Sequence, residues 1–301
     1  MSLKLSNAID RKDSINRETF QEAYMLPQKP VVIRNFYGAN APVYTWSLDY
    51  FKEILGHLEV GVYDAEEEER QDDRSYKGAP MTMKFGDYIE LIQSEPTSRR
   101  LFLFNVFKHK KDLLDDFQFP DITNNVLGFL PFAFFGGAGA ITRIHRDMDN
   151  SNVFLTELIG EKRVVLFPPE QSSLLYRYPF STHTSIDVNA PDFEQYPGLR
   201  YVEGLDFTLK ANETLFMPAG WWHHIEYKTA GMGFAMRSLS PYLKDRMRGL
   251  LQVGLLTHLD DLFRWTFQDK WFKHKKQLAQ KRANAAMRRL KERPVDAETP
   301  A

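Results

Sequence analysis

Thr142-Arg143-Ile144-His145-Arg146-Asp147 carries a His-x-Asp pair, two side chains of metal-ligating type separated by one residue. On an extended strand, residues two apart project from one face. His145 and Asp147 therefore converge on one point while Arg146 points away. A stable metal site needs a third ligand, and a distant strand must supply it. Much later in the chain stands Met217-Pro218-Ala219-Gly220-Trp221-Trp222-His223-His224-Ile225-Glu226, a turn followed by a strand. Barrels bring such distant segments together. Adjacent histidines on a strand cannot both face inward. His223 shares its face with Trp221 and Ile225, whereas His224 shares its face with Trp222 and Glu226. Ile225 favours the interior and Glu226 the solvent, so His223 is the better ligand; a bulge would reverse the choice.

Around these two segments the chain from residue 101 to 242 alternates short apolar runs with Gly, Pro and Asn. Leu101–Phe104, Val153–Leu155, Arg163–Phe167, Thr214–Met217 and Gly233–Met236 read as strands. Many short strands without intervening helices predict a sandwich or barrel, a mainly β fold with flanking helices. Residues 1–100 read as a mixed α/β part packing on that core. It holds a β run at Lys29–Arg34 and amphipathic helices at Trp46–Leu58 and Phe85–Gln93. The acidic stretch from Asp64 to Gly78 reads as a solvated loop. Residues 243–301 read as helical, with apolar residues such as Met247, Leu250, Leu251, Leu255 and Trp265 at helical spacing. A basic stretch, Lys270 to Arg293, follows, and the tail after Pro294 reads as frayed. The apolar helix suits packing or dimerisation; the basic one suits solvent, with RNA phosphates as its alternative partner.

Composition narrows the chemistry. The chain is 43% hydrophobic and 26% charged, enough apolar matter for a large core. The 23 phenylalanines suit a β-rich interior. A net charge of −1 gives no whole-chain attraction to nucleic acid or membrane. Cysteine is absent, which excludes disulfides, thiolate zinc sites, iron–sulfur clusters and cysteine nucleophiles. The N-terminus has no apolar signal core and no run spans a bilayer, so the expectation is a cytoplasmic protein with no membrane partner.

Two imidazoles and one carboxylate with open positions form the ligand set of non-haem Fe(II) oxygenases, and a zinc hydrolase remains an alternative. Lys162 shares a strand face with Val164 and Leu166, where a bare charge is costly. An anion should meet it, and an oxoacid co-substrate with a distal carboxylate would serve; snorkelling at the strand end is the bland alternative. Thr142 is a candidate hydroxyl for the same carboxylate, but its spacing of three from His145 needs a backbone kink. Phe135–Ala140 is Gly-rich without a phosphate-binding frame and reads as a close-packed turn. His183, among Ser181, Thr182 and Thr184, reads as a surface residue rather than a fourth ligand.

The same stretches resemble the cupin-like, JmjC-related 2-oxoglutarate oxygenases, most of all the asparaginyl hydroxylase that modifies hypoxia-inducible factor. The resemblance rests on Thr142–Asp147, Gly160–Gln171, Leu175–Pro179, Asp187–Tyr201 and Pro218–Glu226, and runs from about Pro27 to Tyr242. It implies a double-stranded β-helix (jelly-roll) core. It also implies Fe(II) held by His145, Asp147 and His223, with 2-oxoglutarate at Lys162 assisted by Thr142. The implied reaction couples decarboxylation of 2-oxoglutarate, with O2, to hydroxylation of a prime substrate. A homodimer through the C-terminal helices is implied as well. The chain departs from that relative at three positions. Phe102 aligns with a co-substrate tyrosine, Ser238 with an asparagine at the co-substrate, and Ser240 with a tryptophan. Met148–Asn152 is longer than its counterpart. Protein side chains, RNA and small molecules all stay open as substrates, as does a non-catalytic metal- or ligand-binding module.

Overall fold

A computed structural model of the chain describes residues 2–64, 81–128 and 131–292. Most of the acidic stretch expected to be a solvated loop, and the tail after Pro294, lie outside the described residues.

Fourteen strands are described. The N-terminal ones are β1 (Lys4–Ser6), β2 (Asp10–Lys12), β3 (Val31–Arg34), β4 (Glu59–Asp64), β5 (Met81–Lys84) and β6 (Arg99–Phe104). The central ones are β7 (Phe132–Gly136), β8 (Ile141–His145), β9 (Asn152–Ile159), β10 (Glu161–Phe167), β11 (Glu203–Lys210), β12 (Glu213–Met217), β13 (Trp222–Tyr227) and β14 (Gly231–Ser238). The helices are α1 (Arg17–Phe20), α2 (Leu48–Leu55), α3 (Phe85–Ser94), α4 (Val106–His109), α5 (Leu243–Leu251) and α6 (Thr257–Lys291). Ser47 caps α2 by accepting a hydrogen bond from Tyr50 N, as an N-cap serine should.

The strands form two sheets. One runs β1-β11-β10-β13-β8 and the other β2-β3-β12-β9-β14-β7-β6-β4-β5. Strands β7 to β14 pair antiparallel throughout, which makes the jelly roll, and the N-terminal strands extend its edges. Gly160, at φ +85°, turns the chain from β9 in one sheet to β10 in the other. Val153, Leu155, Val164, Leu166, Leu215 and Met217 fill the space between the sheets. The outer face of the large sheet presents Phe154, Phe216 and Phe234 to Phe20, Tyr37 and Trp46 of the N-terminal part. That layer is where much of the aromatic content goes.

The Gly-rich stretch divides. Phe132–Gly136 is strand, and the turn lies beyond it, with Gly139 at φ +91°. A Cβ at Gly136 would stand 2.7 Å from the Tyr227 ring, and that ring is buried beside Lys162. Gly136→Ala is expected to cost about 1–3 kcal/mol by overpacking. Denaturant unfolding measures it, and an unchanged midpoint would contradict the packing described.

The C-terminal part is helical but not straight. α6 breaks at Gln268 (φ 46°, ψ −125°) and folds back on itself. Asp260 on the first limb accepts hydrogen bonds from Trp271 Nε1 at 2.8 Å and from Lys275 Nζ at 3.0 Å on the second. The second limb buries Ala279 and Ala283 against the segment containing Leu175, Tyr176 and Tyr178. The first limb and α5 leave Leu243 71%, Leu250 66% and Trp265 82% exposed. Among the described residues no helix is long and apolar enough to cross a membrane.

Candidate metal centre

The two ligand segments are hydrogen-bonded neighbours, since β8 pairs with β13 and His145 stands opposite His223. Their ring centroids are 4.2 Å apart. Asp147 lies two residues beyond the end of β8, where Arg146 N bonds to Thr182 O at 3.0 Å and steers the chain. One ligand atom from each of His145, Asp147 and His223 lies within 4.8 Å of the others. His145 Nδ1 is 2.9 Å from Arg143 O, and His223 Nδ1 is 3.3 Å from Trp221 O. A carbonyl can only accept, so both rings carry their proton on Nδ1. Each Nε2 lone pair is then free for a cation, the usual outer-shell support of a metal-bound histidine.

The charge states suit ligation. Burial holds His145 well below its ordinary value, helped by the nearby His223 and His183. Burial also lowers His223, against the pull of Asp147. Burial pushes Asp147 up, but Arg237, His223 and His145 together hold its carboxyl below the ordinary range. At neutral pH the set is therefore two neutral imidazoles and one carboxylate. That donor chemistry is compatible with Fe(II).

His224 faces the other way. It lies near Arg143, Asp187 and Asn189, and burial followed by the charge of Arg163 pushes its pKa down to about 4. Glu226, on the same face, pairs with Arg163 at 3.4 Å. Trp222 is buried and donates to Ser172 Oγ at 2.9 Å, while Trp221 donates to Gln28 O at 3.1 Å.

The triad opens on a cavity of about 350 Å³ between the sheets. Its volume falls in the range of small-ligand sites. Lys162 and Thr142 both line it. Lys162 does not snorkel: it is 1% exposed, facing Tyr227, whose ring lies 4.4 Å from its Nζ. Thr142 reaches the cavity through a bulge. Positions 223 and 225 of β13 pair with 145 and 142 of β8, so β8 spends one extra residue there. The extra residue restores a shared face across a spacing of three.

Ser238 lies elsewhere. It is buried and accepts from Asn152 Nδ2 at 3.3 Å, on the face of β14 shared with Phe234 and Met236. Its neighbour Arg237 takes the cavity face. Pleat alternation gives that face to Gly233, Ala235 and Arg237, and so turns Ser238 away. Neither asparagine of the long segment lines the cavity: Asn150 donates to Asp245 O, and Asn152 accepts from Ala219 N.

Four functional neighbours escaped the sequence reading. Arg237 Nη1 donates to Asp147 Oδ2, Asp149 Oδ1 and Ser151 Oγ, each at 3.0 Å. Arg100 Nη1 donates to Thr142 Oγ1 at 3.0 Å, with its guanidinium 4.5 Å from the Phe102 ring. Glu157 Oε2 lies 2.5 Å from Lys162 Nζ. His183 is the fourth, and the expectation of a surface residue is corrected. It is buried, bridges His145 through the backbone, and stacks on its ring at 5.6 Å. An arginine and a glutamate inside apolar strands were the available signals.

A jelly roll that brings two histidines and an aspartate together at an internal cavity offers a candidate metal site of cupin type. The chain belongs to the cupin-like domain family, whose model matches residues 17–238. It is 25% identical over 237 residues to "Lysine-specific demethylase 8" of Xenopus tropicalis, covering 74% of this chain and 51% of that protein. It is 26% identical over 245 residues to "tRNA wybutosine-synthesizing protein 5" of Mus musculus, covering 75% and 76%. It is 24% identical over 247 residues to "Bifunctional peptidase and (3S)-lysyl hydroxylase JMJD7" of Homo sapiens, covering 69% and 76%. The match spans about half the length of the demethylase.

Proposed function

We propose that the chain is a 2-oxoglutarate- and Fe(II)-dependent hydroxylase. The observation that carries this is the convergence of His145, Asp147 and His223, in their ligating charge states, on the same cavity as Lys162 and Thr142. In this reading the three side chains hold Fe(II), which supplies the site for O2 activation by the co-substrate. Lys162 binds the distal carboxylate of 2-oxoglutarate, and Thr142, steadied by Arg100, contributes a hydroxyl. Phe102 has no hydroxyl to offer the co-substrate, and Arg100, its guanidinium 4.5 Å from that ring, is a substitute donor. Arg237 orients Asp147 from the cavity face that Ser238 does not reach. The absence of cysteine and the need to keep iron reduced suit the cytoplasm. Fe(II)-loaded protein incubated with 2-oxoglutarate and O2 should form succinate. Metal binding without 2-oxoglutarate affinity would instead support a binding module.

A protein side chain is the prime substrate favoured by the lysyl hydroxylase among the relatives. One observation favours RNA as a second reading. Arg146 lines the cavity with its Nε buried and without a hydrogen-bond partner. The charges of Arg177 and Arg248 act on it, and Arg282 extends the cluster from the basic limb of α6. Arg248 is paired with Asp245 at 3.4 Å, but the clustered guanidinium groups still suit phosphate. Succinate yield with peptide and with oligoribonucleotide substrates separates the two.

The exposed Leu243, Leu250 and Trp265 support a homodimer through α5 and the first limb of α6, as in the resemblance. A Leu250→Glu, Trp265→Glu variant is expected to sediment as a monomer where the parent sediments as a dimer. A monomeric parent would contradict this.

A further inference from the structure

Lys162 already has an anion. Glu157 on β9 faces it across the sandwich, its Oε2 2.5 Å from Nζ, and both side chains are buried from solvent. Room for the pair is built into β14. A Cβ at Gly233 would stand 2.7 Å from Glu157 Oε2 and 3.1 Å from Lys162 Nζ, and one at Gly231 would stand 3.0 Å from Glu157 Oε1. Two strand glycines are a costly feature in a sheet, and here they open the space the carboxylate occupies.

The groups that face Glu157 are few. Lys162 comes from β10 and Tyr227 from β13, while β14 offers only the glycines. Glu213, opposite Glu157 on β12, is turned to Arg11 at 2.5 Å and Arg34 at 3.5 Å. Arg100 on β6 is directed to Thr142. Lys162 is the charge that acts on Glu157.

Resting on the oxygenase reading above, we infer that 2-oxoglutarate binds Lys162 only when Glu157 carries a proton, so that an ionised Glu157 must take one up on binding. A dianionic co-substrate brings a second carboxylate to one buried ammonium, the Arg100 guanidinium of the same cavity being held by Thr142 and the Phe102 ring. Two carboxylates cannot both stay ionised there, because the surplus charge is neither solvated nor paired. The proton comes from solvent and settles on a Glu157 carboxylate oxygen. Lys162 is thereby released from a full ion pair to face the incoming carboxylate, while the neutral acid stays as a hydrogen-bond donor. Glu157 is ready for this: burial, outweighing the attraction of Lys162, pushes its pKa up to about 7. The sign follows. Below that value Glu157 is already protonated and binding needs no proton. Above it, each binding event must take one up, and affinity falls as pH rises.

The test is calorimetry of 2-oxoglutarate binding to the full chain loaded with Mn(II), between pH 6 and 9, in buffers of different ionisation enthalpy. The expected result at pH 8–9 is uptake of about one proton per ligand and a Kd that weakens about tenfold per pH unit. Glu157→Gln should take up no proton and bind with a flat pH profile, tighter than the parent at pH 9. Binding by the parent at pH 8–9 without proton uptake overturns this inference alone and needs no variant to read. An unchanged pH profile in Glu157→Gln overturns it too. No binding by either protein at any pH overturns the oxygenase reading and this inference with it.

Discussion

Alanine at His145, Asp147 or His223 is expected to abolish Fe(II)-dependent succinate formation, a loss of about a thousandfold or more, ~4 kcal/mol of transition-state stabilisation. The three positions are not equivalent. His145 and His223 sit on adjacent strands with their Nδ1–H groups tied to main-chain carbonyls, so each ring offers Nε2 from a fixed direction. Asp147 stands off the strand and is fixed instead by Arg237. Removing Asp147 also leaves Arg237 with Asp149 as its remaining carboxylate. Metal analysis alongside the succinate assay separates lost binding from lost turnover. Full activity in any of the three variants would remove that residue from the metal centre.

Lys162→Met carries the second large effect, and it falls on stability. The substitution keeps an unbranched side chain, one atom shorter, but leaves Glu157 buried without a cation. Breaking a buried pair from one side costs about 3–5 kcal/mol. The cost depends on pH with a definite sign. Glu157 escapes it by taking a proton, so destabilisation should be larger at pH 8 than at pH 6. Adding Glu157→Gln should recover much of the loss, because the pair couples the two positions. Denaturant unfolding of the two single variants and the double variant at both pH values reads this directly. Additive single effects would mean that the 2.5 Å contact carries no coupling.

Much of this was legible in the sequence, and for physical reasons. The choice of His223 over His224 rested on Ile225 and Glu226, which prefer opposite sides of a half-buried strand. The structure sets His223 beside His145 and His224 beside Arg143 and Asp187. The strands rich in Val, Leu and Phe were visible because a strand buried on both faces has no polar alternation to disguise it. What escaped depends on pairing rather than on local residue type. A spacing of three set Thr142 on the wrong face. The bulge that corrects it exists only in the register between β8 and β13, which no single strand encodes. Ser238 was chosen by alignment to a relative, whereas the pleat gives the inward position to Arg237. Glu157 was hidden inside an apolar run, although the same argument that demanded an anion for Lys162 described it. His183 looked superficial because its neighbours are Ser and Thr; their hydroxyls serve the buried turn that brings it to His145. The fold-back of α6 at Gln268 carried no proline or glycine signal.

Anaerobic titration reads iron and co-substrate binding at the His145, Asp147 and His223 site together. Fe(II) is added to the protein first and 2-oxoglutarate second, and the visible charge-transfer absorption of an iron-chelated 2-oxo acid is followed. The account predicts an absorption that saturates at one equivalent of each and is absent in His145→Ala and Asp147→Ala. Iron binding with no absorption on adding 2-oxoglutarate, or an absorption indifferent to those two residues, would contradict it.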